Sequence, residues 1–532
     1  VEDAFSLEFG GETYTADDGW FEWFAWDSAF VFHFDPDHFG GDFYYPPGTD
    51  ITVRMSSSAR DQDGYYLAGG LEWTFTTSTN PTPDFTPPDV SSWNPVYSEQ
   101  ISFNPSYAEI IFSEPMIKSS ASHGFVLATS DFSDVRGIND GLFAWYDNNT
   151  RMRYYTYKPL QIGKDYGVYY DILGIIPKDL AGNELVSTDH THSYPSAWAN
   201  SIRLVVNHAQ VPEDVTDFPV YVDLNALTVA DASFFSNCDP AGNDIIVIDE
   251  KRTTKLPREL VYIEPGFQKG ELWFRAPKLS RTEDTVFYIL YNSPVLTETN
   301  DPAVWSNGYL GVYHLHGNFE DSSPNGNHGV PFGPTPEPAG KIGEAQSFDG
   351  MGNYFEVPFP DIIKDTGTVS LWIRPWQWTH DGAFFEASLA PKEFLFDINS
   401  LTLRFKITDA NDITFETNKN VSLYPDNTWH HVAGVWKYKP AGGPAPPGPA
   451  ARLFFDGISA DQSSSIIAER PPLQAPYIGS SRELGPIYSY WGDIDEVHIS
   501  DKVRNFAWIN TEYNNQEAPW LGGFFIEIML EP

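Results

Sequence analysis

Cysteine is almost missing from this chain: Cys238 is the only one in 532 residues. No intrachain disulfide can form, so stability has to come from cores and assembly. Basic residues are also scarce. Lysine and arginine total 32 against 73 aspartates and glutamates, a formal net charge of −41. That balance excludes nucleic acid as a partner, because phosphates need a basic face. It disfavours an anionic membrane surface for the same reason. The acidic excess reads as a solvated surface, with carboxylates available to divalent cations. No apolar run approaches the ~20 residues of a membrane-spanning helix. Sustained 3.6-residue periodicity is scarce too, which argues against a helical architecture. The chain opens at Val1 rather than methionine and shows no signal peptide, which reads as a processed chain or a piece of a longer one.

What is present points one way. The chain has 42 prolines, 41 glycines and 16% aromatics. Short alternating runs recur at 49–55 (TDITVRM), 108–112 (AEIIF), 202–206 (IRLVV), 368–373 (TVSLWI), 401–407 (LTLRFKI) and 451–455 (ARLFF). Period-2 runs separated by turn residues predict an all-β chain. At roughly 100–200 residues per domain, about three to five domains are expected.

Residues 1–78 and 89–195 share an outline. The first has a strand at 49–55, an acidic turn at 61–64 (DQDG) and a closing strand at 71–77 (LEWTFTT). The second repeats it with 163–170 (GKDYGVYY) and 179–185 (DLAGNEL). Such a repeat means two related domains. Residues 79–88 between them (TNPTPDFTPP) form an extended proline-rich linker. The second copy opens with a segment that the first lacks, ending in AEIIFSEPM at 108–116. The first copy starts at VEDAFSLEF, which corresponds to the stretch around Phe125 of the second. Its aromatic run at 20–34 would then lack cover, at a cost of roughly 25 cal/mol per Å² of apolar area. The F-S-E-P-M motif (Phe112 to Met116), D-x-A-G-N (Asp179 to Asn183) and W-T-F-T-T (Trp73 to Thr77) resemble the bacterial Ig-like domain of surface-layer proteins. The resemblance implies a seven-stranded sandwich. The second copy departs from it at 191–195, where THSYP replaces the usual last strand.

The segment 521–532 (LGGFFIEIMLEP) carries strand periodicity, with Ile526, Ile528 and Leu530 alternating with Phe525, Glu527 and Met529. It follows a domain that reads as finished, and an isolated apolar strand is an edge in need of a sheet. IEIMLEP resembles IIFSEP of the second copy. Residues 520–532 are therefore expected to act as a donor strand for the incomplete domain of the next copy, through Phe524, Phe525, Ile526, Ile528 and Leu530. With the Glu-Pro pairs aligned, the inward positions fall one residue out of step. Two other readings stay open: the tail packs on its own chain as an extra edge strand, or the chain is one unit of a tandem polyprotein.

Residues 196–298 hold alternating strands with F-P-V at 218–220, D-I at 244–245, L-P-R-E at 256–259 and YILYN at 288–292. They resemble a domain of unknown function common in archaeal and bacterial surface proteins, which carries no known chemistry and often precedes a laminin-G-like module. Residues 299–519 supply 308–329 (GYLGVYHLHGNFEDSSPNGNHG), 346–350 (QSFDG), 429–436 (WHHVAGVW), 453–457 (LFFDG), 477–480 (YIGS) and 490–500 (YWGDIDEVHIS). In this order the pieces look like the concanavalin A-like, laminin-G-like jelly roll, which implies two curved antiparallel sheets. Residues 439–451 (KPAGGPAPPGPAA) read as a protruding proline-glycine loop.

That resemblance also implies a calcium site, formed by Asp321, Asn325 and Asn327 with Asp493 or Asp495. Calcium takes six to eight oxygen ligands, and such side chains with turn carbonyls supply them. The alternative is that these residues only close Asx-turns. Asp493 and Asp495 share a strand face, but no facing acid pair accompanies them, so no catalytic residues and no enzyme activity are expected. His314 and His316 are two apart and would face one side, the spacing of a metal pair; satisfied or exposed histidines are the alternative. Asn148 and Asn420 stand in glycosylation sequons. Trp372, Trp376, Trp378 and Trp491 are candidate sugar platforms or core residues. Two readings result. One is a structural subunit of an extracellular filament or surface layer, whose partners are copies of itself joined head to tail. The other is a cell-surface adhesin that binds glycan or protein through the jelly roll.

Overall fold

The computed structural model describes residues 4–24, 29–34, 48–60, 66, 69–77, 84–95, 108–129, 132–157, 161, 164, 166–170, 174–186, 192–194, 198–293, 298–465, 468–520 and 523–531. The acidic turn 61–64 and the first half of the linker, 79–83, lie outside them, as do all side chains of the aromatic run 20–34 except Phe21 and Phe32. The chain is all-β, and it divides into two compact units, Val1–Pro195 and Ser196–Pro532.

The first unit opens with a four-stranded antiparallel sheet in the order Glu12–Thr15, Phe5–Phe9, Asp50–Met55, Leu71–Thr76. Alternation in FSLEF turns Phe5, Leu7 and Phe9 inward, where they meet Ile51, Val53, Phe21 and Phe32. The outward row carries Glu8, Arg54 and Glu72 as cross-strand ion pairs. Facing this sheet is a hairpin of Gly19–Phe24 and Ala29–Phe34.

The second sandwich shows what a full set of strands looks like. One sheet runs Val135–Arg136, Val126–Thr129, Tyr166–Tyr169, His192–Tyr194. The other runs Gly141–Tyr146, Arg151–Thr156, Ala108–Phe112, Val90–Pro95. The strand His192–Tyr194 is built from the divergent THSYP segment, so that departure keeps the last strand's place. Among the described residues eight strands, four in each sheet, stand where the resemblance implies seven. In both domains a 3₁₀ turn precedes the hairpin, and an aspartate three residues on closes it. Asp18 accepts from the Thr15 N–H at 2.7 Å and Asp140 from the Gly137 N–H at 3.1 Å.

Strand by strand, the first sandwich matches the second except at two places. Among the described residues, nothing stands where Ala108–Phe112 and Val90–Pro95 stand in the second. The consequence is visible in burial. Phe75 pairs with Ile51 and Trp73 with Val53, so Leu71, Trp73 and Phe75 share the inward face of the sheet. Ile51 and Val53 are buried, yet Leu71, Trp73 and Phe75 are 54%, 49% and 44% exposed. The inner face is uncovered on the side away from the hairpin.

In the second unit the expected domains 196–298 and 299–519 form one body with a continuous core. A five-stranded sheet runs Lys255–Leu256, Ile246–Asp249, Thr285–Tyr291, Asn200–Val206, Phe525–Glu531. A three-stranded sheet, Val215–Asp223, Lys269–Leu279 and Arg258–Glu264, packs beneath it. Gly270, Glu271, Leu272, Trp273 and Phe274 are all buried although they alternate sides. A strand buried on both faces has layers above and below it. Here the second layer is the jelly roll. Its eight-stranded sheet centres on Trp491–Ser500, flanked by Thr366–Pro375, Ala345–Asp349 and Tyr309–Tyr313. Its seven-stranded partner runs from Val330–Phe332 to Thr414–Asn420. Between the two sheets lie Leu371, Ile373, Phe394, Phe396, Phe405 and Trp436.

The helix Phe506–Glu517 joins the two parts of this unit. Asn505 caps it, its side chain accepting from the Trp508 N–H at 3.0 Å. Trp508 packs on Phe218 with ring centroids 4.9 Å apart. Asn515 bonds both backbone groups of Tyr221, at 2.7 and 3.0 Å. No helix among the described residues is long and apolar enough to cross a membrane.

The expectation of a tail without a partner in its own chain is corrected. Phe525–Glu531 pairs antiparallel with Asn200–Val206 as the edge of the five-stranded sheet. Phe524, Phe525 and Ile528 enter the core, and Glu527 pairs with Arg203. Ile526, Met529 and Leu530 remain exposed.

Candidate functional site

The five residues expected to hold calcium all bind protein groups already. Asp321, Asn325 and Asn327 share a loop that is closed by its own hydrogen bonds. Asp321 accepts from the N–H groups of Val312 (2.9 Å), Ser323 (2.8 Å) and Asn327 (2.6 Å) and from the Ser323 hydroxyl (2.9 Å). Both of its oxygens are used, which is the behaviour of an Asx-turn. Asn325 and Asn327 donate to the carbonyls of Tyr309 and Leu310. Asp493 is bound by Ser347, Arg374 and Trp376, the last two at 2.7 and 2.8 Å. Asp495 accepts the N–H groups of Lys341 and Ile342 at 2.8 and 2.9 Å. Burial and neighbouring Glu496 raise Asp495 well above the usual carboxylate range.

Of the four tryptophans, Trp372 and Trp378 are core. Trp372 lies under the helix and donates to Gln516 at 2.6 Å. Trp376 and Trp491 are partly exposed and meet edge to face at 5.7 Å, with His380 beside Trp491 at 5.5 Å. Asn148 and Asn420 are exposed; the Asn420 side chain already accepts from the Ser422 N–H and hydroxyl.

His314 and His316 part company, because Leu315 between them adopts a left-handed conformation (φ 58°) just past the strand end. His316 stacks on Tyr262 at 3.9 Å. His314 instead sits in a buried row of acids and imidazoles where the jelly roll meets the three-stranded sheet. Its Nδ1 is 3.0 and 3.1 Å from the two carboxylate oxygens of Glu496 and 3.2 Å from Oε1 of Glu271. Its Nε2 is 3.4 Å from Glu259, which accepts the Trp305 indole N–H at 2.6 Å. His498 bridges Glu496 and Glu512, 3.0 Å from each, and Glu512 also accepts the Ser370 hydroxyl at 3.0 Å. Glu496 and His498, two apart, share the outer face of Trp491–Ser500, and a bulge there, with Glu496 at φ 48°, shifts the register against Thr366–Pro375 between Asp495 and His498. Burial pushes Glu271 up to about 8, aided by Glu496. Burial acts on Glu496 too, but His314 and His498 outweigh it and hold that carboxylate at about 2. The spacing of His314 and His316 gave no sign of Glu271 or Glu496; the alternation in ELWF, which sends Glu271 with Trp273 to one side, was the available signal.

A second acidic group lies in the first unit. Asp84, Glu114 and Asp179 bring carboxylate oxygens within 4.8 Å of one another. Burial first, then Asp179 and Asp84, push Glu114 up to about 7.

The concanavalin A-like lectin/glucanases superfamily, in its laminin-G-like form, matches residues 349–510. The jelly roll is therefore a concanavalin A-like domain. No curated protein matches the chain. Among solved structures, one similar fold is domain 4 of an extracellular arabinanase from Geobacillus stearothermophilus in complex with arabinotriose. It shows 17% identity over 39% of this chain and 98% of that one, with a TM-score of 0.28. Another is the botulinum neurotoxin serotype D binding domain, at 14% identity, 40% of this chain and 52% of that one, with a TM-score of 0.32. The binding domain of Paraclostridial Mosquitocidal Protein 1 gives the same figures. The chain thus spans about half the length of these toxin binding domains.

Proposed function

We propose that the chain is a structural subunit of an extracellular filament or surface layer, joined head to tail to copies of itself through the first sandwich. One observation carries the reading: the inward face at Leu71, Trp73 and Phe75 is uncovered, and no described strand pairs with the outer edge of Ala29–Phe34. The second sandwich indicates the occupant such a place takes. There Ala108, Ile110 and Phe112 face inward while Glu109 binds Arg153 at 2.5 Å. The C-terminal strand repeats that pattern, with Ile526, Ile528 and Leu530 on alternate positions and Glu527 on Arg203. Aligning Glu527 with Glu109 brings the apolar positions into step. In its seat on its own sheet the strand buries Phe525 and Ile528 but leaves Ile526, Met529 and Leu530 exposed, so part of its apolar surface stays uncovered there. Transfer of Phe525–Glu531 into the first sandwich of another copy is strand addition used as a joint. The contact is heterologous, so it propagates as an open filament unless the rotation closes. The jelly roll would then be the displayed module that meets surface glycan or protein, with Trp376 and Trp491 as its aromatic contact.

A cross-link tests the joint. Arg203 and Met529 are direct cross-strand partners. The pair Arg203→Cys and Met529→Cys, once oxidised, should hold the tail at home and keep the protein monomeric in electron micrographs; reduction should restore filaments. Filaments that form with the tail locked would refute the tail as donor. Unmodified protein that stays monomeric at all concentrations would refute the filament.

A further inference from the structure

We infer that Glu271, His314 and Glu496 form a binding site for a first-row divalent transition metal, zinc by preference, which staples the three-stranded sheet to the jelly roll. The three side chains offer donor atoms within 4.8 Å of one another, and all three are buried. His314 Nδ1 stands 3.0 to 3.2 Å from three carboxylate oxygens. One N–H cannot satisfy three acceptors. Separations of about 3.0–3.5 Å are, however, the edge lengths of a polyhedron built on metal–ligand bonds of about 2.0–2.2 Å.

A second observation is independent of those distances. Oε2 of Glu271 is buried and has no hydrogen-bond partner. An orphaned carboxylate oxygen in a dry interior costs more than almost any other polar atom. The space beside it is kept open by Gly343, where a Cβ would stand 3.2 Å from that oxygen. Bidentate binding by Glu271, with Nδ1 of His314 and one oxygen of Glu496, makes four donors.

The surroundings have the form of an outer shell. The far nitrogen of His314 faces Glu259, the carboxylate–histidine–metal arrangement that orients a ligating imidazole. Trp273 donates to Glu271 at 2.8 Å, and the His498 ring meets Glu496 at 3.0 Å. The row also carries four glutamates (259, 271, 496, 512) against three histidines (314, 431, 498). A divalent cation would let all four carboxylates stand ionised beside one another. An imidazole among carboxylates suits zinc rather than calcium or magnesium.

The test uses the full chain, stripped by a strong chelator and titrated with cobalt(II) and with zinc. One equivalent should bind, raise the melting temperature, and give an X-ray absorption spectrum with one imidazole and oxygen ligands. The near-isosteric Glu271→Gln and His314→Gln should each weaken cobalt binding by at least ~100-fold. If His314→Gln does not fold, Glu271→Gln and the wild-type spectrum decide the matter. Absence of stoichiometric uptake by the stripped protein overturns the site. So does metal bound without imidazole, or affinity unchanged in Glu271→Gln, either of which would place the ion elsewhere, such as at Asp84, Glu114 and Asp179.

Discussion

Replacing Trp73 and Phe75 together by threonine separates the assembly role of the first sandwich from its stability. Both residues lie on the core face, yet each is close to half exposed. A buried Phe or Trp side chain hides 150–250 Å², so roughly 100 Å² of each is still in water. Covering that area in an assembled copy is worth about 5 kcal/mol for the pair, at ~25 cal/mol per Å². The joint should therefore weaken on the order of 10³-fold. The isolated chain should lose no more than the half already buried, and threonine keeps strand propensity. Sedimentation and negative-stain micrographs across a concentration series read the first quantity, and thermal melting reads the second. Two results would refute the reasoning: filaments forming at the wild-type concentration, or a melting loss as large as that of Ile51→Thr, a substitution on the fully buried side of the same pair.

Three further outcomes follow from other parts of the chain. Glu114 is raised to about 7 from its ordinary 4.5, so its contribution to stability is full below about 4.5 and is lost as pH rises through about 7; Glu114→Gln should flatten the melting-temperature profile across that window, and an unchanged profile would refute the shift. Phe525 is core, so Phe525→Ala should cost about 3–5 kcal/mol in denaturant unfolding of the second unit; a loss under 1 kcal/mol would mean the tail is not seated there. The Asp321 loop is closed by protein donors, so calcium chelation should leave the melting of the jelly roll unchanged, while Asp321→Ala, which strands buried N–H groups, should cost about 2–4 kcal/mol.

Much of the architecture was legible because it is local. FSLEF, AEIIF and LTLRFKI each announce a strand by alternation. What failed was partnership across long separations. Nothing in IEIMLEP names Asn200–Val206, because a period-2 pattern fixes which side chains face inward and leaves the neighbouring strand free. The hydrogen bonds of the expected calcium set were not legible either: Asp493 and Asp495 bind donors from segments far away in sequence, such as Ser347, Arg374, Lys341 and Ile342. The Glu271–His314–Glu496 cluster was hidden for a third reason: it needs a left-handed residue at Leu315 and a bulge at Glu496, and neither carries glycine to mark it.

The helix Phe506–Glu517 and the three-stranded sheet occupy the outside of the eight-stranded sheet. A concanavalin A-like body normally offers two broad surfaces to the medium. Here one of them is a floor for another layer, so only the opposite surface and the rim stay open to the medium. Whatever docks on this domain would have to approach from that half.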